Sequence, residues 1–287
     1  MSIRTTQRVL LRRLLPDEEP DGLEVRQGQF HTVVIGSERV VCLPRTRAAA
    51  ARLPRRAATL AALAGLGLGF RTPEPLLQGR THGTGEEPFL VLSRIPGEPL
   101  GADALSDARV AGTMAAQYAT LLSALARAGA DESVRALLPR AAEGRWCRFA
   151  EDVREELFPL MADSGLRRAE RELLPLGGLP HVTRAVVHGD LGAENVLWEW
   201  RDGLPHLSGV LDWDDVTLGD PAEDLAAVGA GYGPEFLERV LALVGPPDQG
   251  LHTRIAAIQG TFALQQALYA FRDGDEEELA DGLAGYR

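Results

Sequence analysis

The chain has 287 residues, of which 45% are hydrophobic and 25% charged, a composition typical of a folded globular protein large enough for two lobes. Its net charge of −11 argues against a surface dedicated to nucleic acid and fits a cationic small substrate better. All 30 basic residues are arginine, so a mechanism that requires a lysine amine is excluded.

Cysteine content and hydropathy indicate the compartment. The two cysteines, Cys42 and Cys147, do not suggest a disulfide framework. The N-terminus does not read as a signal peptide, and no apolar run reaches the roughly 18 residues of a spanning helix. We therefore expect a cytoplasmic protein with no membrane partner and no nucleic-acid partner.

The first third of the chain predicts short strands around one helix. Segments rich in Val and Ile predict strands at 23–26, 31–35 and 39–43, separated by turns at 27–29 and 36–37. A helix at 48–66, ended by glycines, and strands at 76–78 and 89–92 follow. The N-terminal arginines predict the exposed side of a short helix, with an interaction arm as the alternative. They are Arg4, Arg8, Arg12 and Arg13.

The remainder predicts a mainly helical lobe. Two prolines and a glycine in 93–99 favour a connection between lobes. Apolar periodicity predicts helices at 107–127, 146–161, 165–174, 221–229, 234–244 and 252–271. A hairpin with strands at 195–200 and 207–211 interrupts them, its turn at 201–205. We expect two domains, a β-rich lobe at 1–93 and a helical lobe at 94–287.

Three ordered segments in the second lobe carry the chemical signal. A loop reads HGDLGAEN from His188 to Asn195, DWDD begins at Asp212, and GDPAEDL covers 219–225. Phosphoryl transfer requires a carboxylate for the proton of the attacking hydroxyl, oxygen ligands for Mg²⁺, and a rigid frame between them. An Asp and an Asn on one loop, with an Asp at the end of a neighbouring hairpin, meet these requirements.

These segments resemble the aminoglycoside phosphotransferase family. Its members act on small molecules and are related to the protein kinases. The resemblance implies an α+β, two-lobed, protein-kinase-like fold, with a small antiparallel sheet and one helix in the first lobe and a mainly helical second lobe. It also implies a catalytic base at Asp190, a bracing role for His188, and Mg²⁺ ligands at Asn195 and Asp212. Asp220 and Asp224 match a segment that supports the catalytic loop. The roles of Asp214 and Asp215 stay open between surface carboxylates and metal binding.

The resemblance extends more faintly into the first lobe. Gly28 lies where the family has its phosphate-covering hairpin, and Ser93 begins the connection between lobes. Both are candidates for nucleotide binding, the first through its backbone.

One part of the family pattern is missing. Kinase-like enzymes hold nucleotide phosphates with a Lys on the third strand, oriented by a Glu on the next helix. Here Cys42 takes the first position and Arg56 the second. Arg56 could supply the cation, Arg45 or Arg26 could do so, or the protein could bind nucleotide poorly.

The main hypothesis is a phosphotransferase that moves the γ-phosphoryl group of ATP or GTP to a hydroxyl of a small molecule. An aminoglycoside, a macrolide or a related metabolite would fit, and antibiotic resistance is the implied role. The alternative is a non-catalytic, pseudokinase-like binding module. Substrate identity and the choice between ATP and GTP stay open, and we expect a monomer or homodimer. The acidic segment 273–278 would fit a polyamine or a solvated helix start.

Overall fold

The structure is a computed structural model that describes residues 5–19, 22–28, 31–79, 88–245 and 248–287. The chain forms two compact units, Met1–Leu100 with Glu194–Asp214 and Gly101–Ala193 with Asp215–Arg287. The boundary at residue 93 stays a prediction, and in the structure the hairpin segment groups with the N-terminal unit. Arg4 and Gln29 lie outside the described residues.

The described residues form ten strands and eleven α-helices. The strands are β1 (Glu24–Gln27), β2 (His31–Ile35), β3 (Arg39–Pro44), β4 (Pro75–Gln78), β5 (Leu90–Ser93), β6 (Glu98–Pro99), β7 (Ala185–Val187), β8 (Val196–Arg201), β9 (Leu204–Val210) and β10 (Thr217–Gly219). The α-helices are α1 (Thr5–Leu14), α2 (Arg47–Ala64), α3 (Ala108–Ala130), α4 (Glu132–Leu137), α5 (Arg145–Asp152), α6 (Asp163–Leu173), α7 (Ala222–Tyr232), α8 (Pro234–Val244), α9 (Leu251–Gln259), α10 (Phe262–Asp273) and α11 (Glu276–Gly282).

The first unit is built on a five-stranded antiparallel sheet in the order β1-β2-β3-β5-β4. Leu11 and Leu14 on α1 are buried against apolar residues of this sheet, including Val34 and Val41. Because these leucines are three residues apart, they lie on one face of the helix. Arg12 and Arg13 on α1 are exposed, as the predicted short helix requires.

Helix α2 follows β3 and carries Arg56. The Thr46 hydroxyl caps its start by accepting the Ala49 amide hydrogen at 3.1 Å. Gly65 ends the helix, as predicted, by donating its amide hydrogen to carbonyls of the last turn. The buried residues Leu53, Leu60 and Leu63 define the inner face. The predicted elements of this region are confirmed within a few residues at each end.

A second sheet in the same unit has the order β6-β8-β9. Arg71 connects β9 to the chain after α2, because its amide donates to Ser208 at 3.1 Å and its carbonyl accepts from Val210 at 2.9 Å. The predicted five-residue turn between β8 and β9 is wrong. The strands are longer and meet at a two-residue turn, Asp202-Gly203, in which both residues have positive φ.

The second unit is mainly helical and contains the two-stranded sheet of β7 and β10. Neither strand was predicted, since each has three residues and shows no useful periodicity. One core of this unit contains Val153, Leu157, Leu173 and Leu264, each at most 1% exposed. The α+β class is confirmed, with a β-rich unit and a mainly helical unit.

Two predicted long helices are interrupted. The helix predicted at 146–161 is α-helical only to Asp152, widens into a π-turn over Val153–Leu157 and tightens before Met161. Pro159 explains part of this change, because it has no amide hydrogen to donate. The helix predicted at 252–271 breaks at Gly260-Thr261 into α9 and α10. The acidic segment 273–278 is a helix start, capped by Asp275.

No helix of the described residues is both long and apolar enough to cross a membrane.

Candidate active site

The candidate site residues fall in both units. Asn195, Asp212, Arg56, Gly28 and Ser93 belong to the first unit. His188, Asp190, Asp220 and Asp224 belong to the second.

The loop that carries the candidate base Asp190 follows directly after the buried strand β7. His188 is fully buried, and its ring Nδ1 accepts the Asp190 amide hydrogen at 3.2 Å. Between them, Gly189 has a φ of 91°, and a Cβ there would come within 3.0 Å of Asp215. Only glycine satisfies both conditions without strain. The resulting turn leaves the side chain of Asp190 exposed.

Asp224, on the first turn of α7, stabilises this loop through hydrogen bonds to its backbone. Its two carboxylate oxygens accept the amide hydrogens of His188 at 2.9 Å and Gly189 at 3.1 Å. Complete burial raises the pKa of Asp224 to about 7, against the lowering effect of these two hydrogen bonds. The expected supporting position of Asp224 therefore has a direct geometric basis, two hydrogen bonds to the loop backbone.

Asp220 is tied to the start of α7 and to a buried arginine. One carboxylate oxygen accepts the Ala222 amide hydrogen at 3.0 Å. The side chain of Arg254, from α9, donates to Asp220 at 2.6 Å and to Asp248 at 3.0 Å. Arg254 is only 5% exposed, so its charge needs these partners. Sequence reasoning missed Arg254, since no local motif links it to Asp220.

In the first unit, the hairpin of β8 and β9 brings Asn195 and Asp212 to the same end. The register pairs Val196 with Val210, and the Leu211 amide donates to the Asn195 carbonyl at 2.8 Å. Asp212 comes next along the chain with a φ of 55°, a left-handed conformation that few residues other than Gly, Asn and Asp adopt. Such backbone strain is common at functional sites.

Trp213 anchors the segment that carries Asp212 and Asp214. Its ring is 2% exposed, its indole nitrogen donates to the Val210 carbonyl at 2.9 Å, and it stacks on Phe70 with centroids 6.3 Å apart. The burial of Trp213 fixes the backbone on both sides of it. Both flanking carboxylates are exposed in part, 55% for Asp212 and 39% for Asp214.

Arg56 extends from α2 to these carboxylates. Its guanidinium lies 3.1 Å from Asp214 and 3.8 Å from Asp212, while its NH1 group lies 3.1 Å from Nδ1 of His31. Burial, followed by the charge of Arg56, lowers the pKa of His31 to about 4, so the ring is neutral near pH 7 and Nδ1 accepts this hydrogen bond. His31 and Asp214 were not foreseen as partners of Arg56.

Cys42 is buried close to this group. Burial raises the pKa of its thiol to about 11, and the side chain is therefore neutral. It contributes no charge at the position where kinase-like enzymes have a lysine.

Gly28 and Ser93 have structural contacts of their own. The Gly28 amide donates to the His31 carbonyl at 2.9 Å, and its carbonyl accepts from Arg45 at 2.9 Å. The Ser93 hydroxyl accepts the Glu74 amide hydrogen at 2.8 Å. Nucleotide binding by either residue stays a prediction.

Known proteins are similar to this chain in sequence. The sequence model of the phosphotransferase enzyme family matches residues 20–256 of the chain. The viomycin phosphotransferase of Streptomyces vinaceus is 66% identical over 287 residues, which is all of both chains.

Solved structures share the fold. The GDP and kanamycin complex of an APH(2″) enzyme matches with a TM-score of 0.78 at 20% identity, covering 98% of this chain and 97% of that one. Macrolide 2′-phosphotransferase type I matches with a TM-score of 0.76 at 23% identity, covering 100% and 99%.

Proposed function

Because this chain belongs to the phosphotransferase enzyme family, we propose that it moves the γ-phosphoryl group of ATP or GTP to a hydroxyl of viomycin or a closely similar compound. The chain is a nucleotide-dependent phosphotransferase that acts on a small molecule, which favours the enzyme over the non-catalytic alternative. Viomycin as acceptor is supported by one observation, the 66% identity over the full length of a viomycin phosphotransferase.

The proposed base is Asp190. Its exposed carboxylate takes the proton of the acceptor hydroxyl as that oxygen bonds to the γ-phosphorus. The bond between the γ-phosphorus and the bridging oxygen breaks, and the nucleoside diphosphate leaves. His188 and Asp224 serve this step indirectly, since their hydrogen bonds set the backbone on which Asp190 sits.

Asn195 and Asp212 are the proposed Mg²⁺ ligands. Both supply the hard oxygen donors that Mg²⁺ prefers, and Mg²⁺ needs few protein ligands because it keeps waters and binds phosphates. Their placement at one end of the hairpin fits this donor set. The ion would neutralise charge on the phosphates.

We further expect a cytoplasmic monomer or homodimer without a nucleic-acid partner.

The acceptor is tested by incubating the purified chain with Mg²⁺, ATP or GTP, and one acceptor at a time. We expect release of nucleoside diphosphate and a gain of one phosphate by viomycin, detected by mass spectrometry. Kanamycin and a macrolide serve as competing acceptors. A kcat/KM for kanamycin equal to or above that for viomycin would contradict the proposal, as would unmodified viomycin.

The metal assignment is tested with Asp212→Asn. Loss of one negative charge weakens binding of the Mg²⁺-nucleotide complex and raises the Mg²⁺ concentration needed for half-maximal rate. The Kd for viomycin should stay the same in calorimetric titration. An unchanged affinity for Mg²⁺-nucleotide would remove Asp212 from the metal site.

A further inference from the structure

The arginine on α2 meets two carboxylates that differ in how closely they hold it. Nε of Arg56 is 3.1 Å from Asp214, whereas its NH2 group is 3.8 Å from Asp212. The longer separation exceeds hydrogen-bonding range, so the hydrogens of NH2 are not committed to Asp212. Asp214 is therefore the closer ionic partner, and part of the guanidinium remains able to bind another anion.

Two contacts on different strands and loops fix the position of Arg56. The ring of His31, from β2, accepts a hydrogen bond from NH1 of Arg56 at 3.1 Å. The second contact is with Asp214, which follows the β8–β9 hairpin. The side chain of Arg56 is 17% exposed, which makes its charge less screened than that of a surface arginine. A cation held in this way is preorganised for a ligand with negative oxygens.

The other arginines considered for this role have structural partners. Arg45 donates to the Gly28 carbonyl at 2.9 Å, and Arg26 is paired with Glu24 at 2.6 Å. Cys42 is neutral. Arg45 and Arg26 are exposed, whereas the side chain of Arg56 is 17% exposed and is held by two partners, which favours Arg56 for this role.

We propose that Arg56 and Asp214 together replace the missing Lys–Glu pair, with Arg56 binding the nucleotide phosphates and Asp214 orienting it. This inference rests on the proposed nucleotide-dependent function. The cation comes from the helix that usually carries the glutamate, and the carboxylate comes from the segment after the hairpin. Asp214 is thus a positioning residue, and the two carboxylates beside Trp213 divide their roles, Asp212 for the metal and Asp214 for the arginine.

The test measures the Kd of Mg-ATP and of Mg-GTP by calorimetry, without acceptor. Arg56→Gln should raise the Kd about 10- to 100-fold through loss of charged hydrogen bonds, and Arg56→Lys should retain part of the affinity. Asp214→Asn should raise the Kd about 3- to 10-fold when Arg56 is present, and less than about twofold when it is combined with Arg56→Gln. In a separate assay of the transfer rate, the Mg²⁺ concentration needed for half-maximal rate should not change in Asp214→Asn.

Two substitutions of exposed residues with the same charges are matched controls. Arg55→Gln alters the adjacent, exposed arginine of α2, and Asp202→Asn alters an exposed carboxylate at the hairpin turn. Neither should change the Kd by more than about twofold. Melting temperatures within a few degrees of the unchanged protein establish that each variant is folded.

Three results would overturn the inference. Equal effects of Asp214→Asn with and without Arg56, together with a raised Mg²⁺ requirement, would make Asp214 a metal ligand. An unchanged Kd in Arg56→Gln would remove the arginine from the nucleotide site while leaving the proposed function intact. Absence of nucleotide binding by the unchanged protein would instead refute the proposed function, and the inference with it.

Discussion

The carboxylate of Asp224 accepts the amide hydrogen of His188 at 2.9 Å, which couples the start of α7 to the loop that carries Asp190. The second carboxylate oxygen accepts from Gly189 at 3.1 Å. Since Asp224 is 1% exposed, water cannot replace either bond without a rearrangement of the loop. The position of the proposed base, Asp190, thus depends on a residue in a different element of the chain.

Asp224→Asn should destabilise the protein. An amide side chain can accept only one of the two loop hydrogens and turns its NH₂ group toward the other, which leaves a buried donor unsatisfied at a cost of about 1–3 kcal/mol. The free energy of unfolding from urea titration measures this loss. Glu235→Gln, an exposed carboxylate on the first turn of α8, is the control and should change it by less than about 0.5 kcal/mol. Equal stability of the two variants would contradict the role of Asp224.

Asp190→Asn should reduce the single-turnover rate about 10²- to 10⁴-fold, because the amide cannot take the proton of the acceptor hydroxyl. Asp190 is exposed, so the melting temperature should stay the same. Nucleotide affinity should also be retained. A rate within a few-fold of that of the unchanged enzyme would exclude Asp190 as the base.

The pKa of His31 should depend on Arg56. The folded pKa of about 4 lies below the ordinary value of 6.5, so the unfolded chain takes up the proton first as the pH falls. The stability that neutral His31 contributes is therefore complete above about pH 6.5 and is lost as the pH falls toward 4. NMR titration of the imidazole, assigned with His31→Gln, measures the pKa directly.

Removal of the neighbouring charge tests the cause of this shift. Arg56→Ala should raise the pKa of His31 toward 6.5, since it removes a cation and exposes the ring to water. Arg55→Ala, on the same helix, should leave the pKa unchanged. An unaltered pKa in Arg56→Ala would show that the guanidinium does not lie beside this ring.

Two glycines should respond in opposite directions to substitution by alanine. Gly112 lies on α3, and apart from its chain neighbours and the backbone of its own helix, no atom of the described residues lies within 4 Å of an added Cβ, so Gly112→Ala should stabilise the protein by about 0.5–1 kcal/mol. At Gly165, on α6, an added Cβ would collide with the backbone carbonyl of Tyr286. Gly165→Ala should therefore cost about 1–3 kcal/mol. Chemical denaturation measures both, and a stabilising Gly165→Ala would refute the close approach of α6 and the C-terminal residues.

Elements with strong local signals were predicted well. These signals restrict the backbone conformation of only a few adjacent residues. They are the β-branched residues of β2 and β3, the glycine at the end of α2 and the proline at the start of α8. The breaks at Pro159 and Gly260 were missed because apolar periodicity continued across them. The short strands β7 and β10 were missed since their pairing, Val187 with Thr217, joins distant parts of the chain.

The sequence alone determined the α+β class, the family resemblance and the candidate residues His188, Asp190, Asn195 and Asp212, because a loop that binds phosphate and metal needs particular side chains at short, regular spacing. It also revealed that Cys42 and Arg56 break the family pattern. Only the tertiary structure decided where Arg56 points. Its partners, His31 and Asp214, come from segments far apart in sequence, and an ion pair depends on distance in space, which spacing along the chain does not specify.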